Sequence, residues 1–196
     1  MDPRNRRLIW IIALWGLAAA AAGAVHLLAR LPAPLVPLLI AGLVVGLNLI
    51  LWRTEWLTPA VQSLGLRALL CCHLFRFVGF YFIWLQTQGR LPAEFAERAG
   101  WGDVVAAAGA LGLLFWPPGP VFRRALGIWN WLGMIDLFVA VGTATWLNLT
   151  RPGAMGEIGN FPLVLVPLWA VPLLMTSHLV LMRGVRDEWN RPAQGA

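Results

Sequence analysis

Six apolar stretches, each near the length a helix needs to cross a bilayer, occupy most of this chain. A span takes roughly 20 mainly apolar residues. The stretches run at about residues 8–29, 35–52, 66–87, 101–116, 125–147 and 161–182. In hydrocarbon every backbone amide and carbonyl must find a partner within its own segment, which leaves helices as the economical solution. The expectation is an all-α integral membrane bundle of about six transmembrane helices, one domain over residues 1–196. Charge content agrees. Charged residues are 12% of the chain, half the roughly 25% of a soluble domain. The fourth stretch is short and suits a helix with little tilt or a locally thinned bilayer.

All fifteen basic residues are arginine. Without lysine there is no retinal Schiff base. The arginines are scattered between apolar runs and form no basic tail, so nucleic acid is not the expected partner; the bilayer is. With the N-terminus inside, Arg4, Arg6, Arg7, Arg53, Arg67, Arg123, Arg124, Arg183, Arg186 and Arg191 lie inside, against Arg30, Arg90, Arg98 and Arg151 outside. The positive-inside rule then predicts N-in and C-in topology in a cell membrane. Trp10, Trp52, Trp101, Trp116, Trp129, Trp146 and Trp189 fall near span ends, as an interfacial aromatic belt does. The adjacent Cys71 and Cys72 form no metal motif and read as small packing residues. Small-residue faces at Gly16, Ala20 and Gly23, at Gly42 and Gly46, and at Gly133 and Ala140 predict close helix contacts. They serve the bundle, a second copy or another membrane partner.

Ionisable groups inside a span are costly and are functional candidates. Arg76 lies about 15 Å into the third span at 1.5 Å per residue. Asp136 lies at matching depth in the fifth, which predicts that the two pair. That pair either sets helix register or presents a charge to a ligand, Arg76 then holding a carboxylate or phosphate. His73, Phe77, Phe80 and Trp84 share the Arg76 face on ideal helical spacing. His178, flanked on its face by Met175 and Met182, reaches the depth of His73 from the sixth span. Two such histidines either hydrogen-bond independently or hold a haem between them. Pro162, Pro167 and Pro172 predict kinks in the sixth span, as packing features or as a bent helix beside a pocket.

The outer loop 88–100 predicts a short interfacial helix at Pro92–Arg98, with Phe95 in lipid and Glu94 paired to Arg98. Asp103 then either caps the fourth helix or lines a polar entrance. Zinc-helix, Walker and nucleophile-elbow motifs are missing from the sequence. Catalytic and metal-ligating residues are therefore not assigned, and enzyme activity is disfavoured short of a cofactor-dependent redox role.

The stretch from Arg76 through Gly79, Pro92, Phe95 and Asp103 resembles small multi-pass bacterial membrane proteins of unknown function. Chain size, six spans and topology also resemble the substrate-binding subunits of energy-coupling-factor vitamin transporters. The Ala18 and Ala22 spacing is similar to their coupling contact. Neither resemblance carries binding residues across. The leading functional expectation is a pocket for a small amphipathic or aromatic ligand, for transport or sensing. Its lining would be His73, Arg76, Phe80, Trp84, Asp136 and His178. The alternatives are a b-type haem electron carrier using His73 and His178, and a structural or assembly subunit.

Overall fold

The computed structural model describes residues 3–190, with side chains as far as Arg183. The side chains of Arg186 and Trp189, and all of Arg191, lie outside the described residues. Hydrocarbon length and chain-breaking residues set the elements. α1 is Pro3–Ala24 and α2 the short Leu27–Arg30, separated by His26 in a left-handed conformation. α3 is Leu35–Arg53, α4 is Leu57–Ser63 and α5 is Gly65–Cys72. A 3₁₀ segment, His73–Phe77, joins α5 to α6, Val78–Thr87. α7, Ala93–Phe95, passes through a π turn, Ala96–Gly100, into α8, Trp101–Phe115. α9, Pro120–Thr150, starts on a proline, whose fixed φ and missing amide suit a first turn. A π turn, Val166–Ala170, leads into α10, Val171–Asn190.

Among the described residues five helical runs are long and apolar enough to cross a membrane: Pro3–Ala24, Leu35–Arg53, Gly65–Thr87, Pro120–Thr150 and Val166–Arg183. The fourth expected span, α8, has only 15 residues. It is not isolated, because the helical path from 93 to 115 is continuous and extends about 34 Å at 1.5 Å per residue. The segment 93–100 is therefore the start of this helix and not a separate interfacial one. Phe95 is accordingly buried against Phe82, not placed in lipid, and Glu94 pairs with Arg151 instead of Arg98. Pro162 precedes the last span, while Pro167 lies in its π turn.

Small residues decide how closely the helices approach. A Cβ on Gly79 would strike the carbonyl oxygen of Gly100, so α6 and the π turn touch backbone to backbone. Gly16 accommodates the Trp169 ring, whose Nε1 donates to the Ile12 carbonyl at 2.9 Å. Asn48 on α3 donates to Thr176 on α10 at 2.9 Å, a buried polar link. A Cβ on Gly42 or Gly46 would meet nothing within 4 Å among the described residues, so these glycines are not required for close helix contact there. Leu, Ile and Phe side chains are extensively exposed, Phe115 at 83% among them, an apolar surface suited to hydrocarbon. Trp10, Trp52, Trp101, Trp116 and Trp146 are exposed as a belt requires. Trp129 is not; it is buried and donates to the Ala106 carbonyl at 2.8 Å. Cys71 and Cys72 are free and exposed, so they do not fill the core.

Two consequences are measurable. Gly79→Ala should lower thermal stability in detergent, whereas Gly42→Ala should leave it unchanged or raise it by up to about 1 kcal/mol through helix propensity. At one end of the bundle, Arg151 holds Glu94 and Arg90 holds Glu157, each at 2.5 Å. The Glu94 backbone amide and then Arg151 hold the Glu94 carboxyl below its ordinary range. A depressed carboxylate contributes its stabilisation above its unfolded value and loses it as pH falls through the folded one. Hydrogen exchange across residues 151–160 should therefore quicken only below about pH 4. Glu94→Gln should raise that exchange modestly, by up to about fivefold, at neutral pH, because exposed ion pairs contribute little and the Arg90–Glu157 pair remains.

Candidate functional site

Arg76 sits in the 3₁₀ segment and is 1% exposed. A guanidinium there must use its donors or carry an uncompensated charge. Nε donates to Asp103 Oδ1 on α8 at 2.7 Å. Nη1 donates to the Gly133 carbonyl on α9 at 3.0 Å, and Nη2 to Asp136 Oδ2. The expected Arg76–Asp136 pair forms, and Asp103 joins it. Asp103 is therefore a deeply buried ion-pair partner and does not cap a helix, since the helix begins ten residues earlier at Ala93. Gly102 makes room for the second carboxylate, because any Cβ there would overlap Asp136.

Beside this trio, His73 and His178 are both fully buried, with ring centroids 4.3 Å apart. Their tautomers follow from their partners. Ser177 Oγ donates to the Leu174 carbonyl at 2.8 Å, so its 2.9 Å contact with His73 Nε2 is one in which the ring donates. Asn130 Nδ2 donates to the His178 carbonyl at 3.1 Å, which turns Asn130 Oδ1 toward His178 Nδ1 at 2.7 Å. His178 therefore carries its proton on Nδ1. What remains is one bare ring nitrogen on each histidine, His73 Nδ1 and His178 Nε2, buried and without a partner among the described residues. A Cβ on Gly133 would stand 3.0 Å from His178 Nε2 and 3.2 Å from Arg76 Nη1. The glycine thus brings an open acceptor and a guanidinium to one spot. Trp129 closes the group edge-on to His73, centroids 4.9 Å apart.

Phe80 and Trp84 do not join this cluster; they are 52% and 49% exposed on the outside. The 3₁₀ segment explains the separation. Three residues per turn advance about 120° each instead of 100°, so the four steps from His73 to Phe77 add about 80° of rotation between His73 and the face that carries Phe80 and Trp84. Among the described residues, two cavities that lie elsewhere are lined by none of the six expected pocket residues. A haem between His73 and His178 does not fit either. Their rings touch, Nε2 of His73 and Nδ1 of His178 are occupied by Ser177 and Asn130, and no slot for a porphyrin separates them. Ser177 and His73 resemble a nucleophile and base. The hydroxyl proton is already donated to Leu174, and His73 Nδ1 has no orienting partner.

Asp103, Asn130 and Ser177 were not among the expected site residues. Asp103 reaches Arg76 through a backbone contact that only the structure shows. Gly79 abuts Gly100, and three residues back on one helix and three on along the other reach Arg76 and Asp103. Arg76→Leu should destabilise the protein by about 3–5 kcal/mol, because the buried Asp103 and the partly buried Asp136 lose their cation. Replacing Arg76, Asp103 and Asp136 together by Leu should recover most of that loss. Gly102→Ala should reproduce part of it by expelling Asp136. Unfolding in mixed micelles reads all three.

A family model described as a domain of unknown function (DUF8737) matches residues 33–186, a range that contains every residue of the cluster. No curated protein matches, and no solved structure does.

Proposed function

The chain belongs to the DUF8737 family, and from that premise we propose that it is a membrane transporter or sensor driven by proton binding at the Arg76 cluster. One observation carries the reading: a buried guanidinium shared by carboxylates from two other helices, against two touching histidines that each keep a bare ring nitrogen. With both carboxylates ionised, Arg76, Asp103 and Asp136 hold one net negative charge. A single proton makes them neutral. Charge is expensive in a low-dielectric interior, so the two states differ strongly in what they ask of their surroundings. Buried carboxylate and histidine chains of this kind mark proton relays in membrane proteins. The four helical runs that carry the cluster would feel the change together.

Infrared difference spectra between acid and alkaline pH, on protein in vesicles, test this. A carboxylic acid carbonyl band should appear, and Asp103→Asn or Asp136→Asn should remove or shift it. Trp129 emission should follow the same titration and lose it in His73→Gln or His178→Gln. Spectra identical in all variants would refute the reading.

A separate observation favours ligand binding at another place. A cavity of about 330 Å³ lies between α3, α9 and the 152–159 segment, with Ile40, Val141 and Met155 as apolar walls and Thr145 and Asn148 as polar groups. That volume is at the lower end of small-molecule sites. A small amphipathic molecule fits there. Mass spectrometry of material co-purifying with the wild type and with Ala144→Trp decides it. A species lost from the variant is the ligand, and identical spectra count against the site.

A further inference from the structure

The second cavity, about 730 Å³, opens where α5, α8 and the start of α9 meet. Its lining changes character from floor to rim. Leu70, Leu113 and Phe122 are buried and form an apolar floor. Arg67 and Arg123 lie on its lining and are exposed. Among the described residues neither arginine has a salt-bridge partner. Trp116, also on the lining, is half exposed, in the manner of a headgroup-level tryptophan. The positive-inside reading puts this end on the cytoplasmic side, with Arg53 and Arg183.

We infer that this cavity is a binding site for an anionic phospholipid of the cytoplasmic leaflet. Its phosphate lies at Arg67 and Arg123, and part of an acyl chain lies on the Leu70, Leu113 and Phe122 floor. Each part of the ligand answers a part of the lining. Guanidinium groups make charge-assisted, often bidentate hydrogen bonds to phosphate. The apolar floor gives no reason for a free inorganic anion to prefer it. An uncharged apolar molecule would leave two cations unanswered at the rim. Basic pockets between membrane helices on the cytoplasmic side are where anionic headgroups settle. The site is separate from the Arg76 cluster and does not depend on its role.

Full-length protein in neutral detergent would be titrated with dioleoyl-phosphatidylglycerol, dioleoyl-phosphatidylcholine and inorganic phosphate, with native mass spectrometry counting bound copies. One phosphatidylglycerol should be retained, with little phosphatidylcholine. The double variant Arg67→Gln, Arg123→Gln should weaken retention about 30-fold, near fivefold per arginine. Arg124→Gln, exposed on the same turn but off the cavity lining, should change it less than twofold. Leu66→Trp, on the lining, should weaken it with both arginines in place. Equal retention of the two lipids, or an Arg124→Gln loss as large as that of the cavity arginines, would overturn the inference in favour of diffuse surface charge. Competition by inorganic phosphate alone at comparable concentration would overturn it in favour of a simple anion site.

Discussion

The organising constraint is one guanidinium that cannot reach water. Arg76 lies where three-dimensional burial is nearly complete, and its three donor directions are answered from α8 and α9. Losing the guanidinium would leave Asp103 and Asp136 without their cation in a medium of low dielectric. The helices are therefore held by a geometric demand as well as by dispersion. In lipid that matters more than in water, because apolar side chains gain little by leaving hydrocarbon for each other. The small residues serve the same demand. Gly102 admits the Asp136 carboxylate, Gly79 lets the α8 path come near enough for Asp103, and Gly133 exposes its carbonyl to Nη1.

Glycines outside this group behave differently, and the contrast is informative. Gly42 and Gly46 have the spacing of a helix-contact motif yet face open space. Spacing alone describes what a helix can present, not what lies opposite it. Gly79, by contrast, stands in no repeating pattern, and a backbone carbonyl lies opposite. The same logic separates the tryptophans. Trp146 and Trp129 both lie near the ends of an apolar run, but only Trp129 has a carbonyl, Ala106, and two imidazoles in reach.

How far the site is legible in the sequence follows from this distinction. Helix spans depend on composition over about 20 residues, so hydropathy finds them and errs mainly at their ends. The Arg76–Asp136 pair depends on depth alone, and depth is countable. The expected Phe80 and Trp84 wall depends on helical phase, and five 3₁₀ residues destroy that phase without leaving a compositional mark. Asp103 resembles a helix cap because it stands in the first turn of an apolar run that follows the stretch 88–100. Its burial becomes evident only once the π turn is seen to carry the helix back to Ala93. Phe95 follows the same correction, since a helix start that packs on α6 buries the side chain an interfacial helix would give to lipid.

The histidine pair completes the argument about what such a cluster can do. Two neutral rings in contact, each donating its proton to a fixed oxygen, leave their bare nitrogens as the unfilled acceptors of the site. A purely structural ion pair has no need of them. Burying an acceptor without a donor costs about 1–3 kcal/mol, and the protein carries two beside a charged group. Apolar side chains of similar size would pack the same space at lower cost. Retaining imidazoles there makes physical sense if their empty lone pairs are filled in another protonation state. The Ser177 and Asn130 bonds keep each ring oriented in either state, because they use the nitrogens that are already protonated.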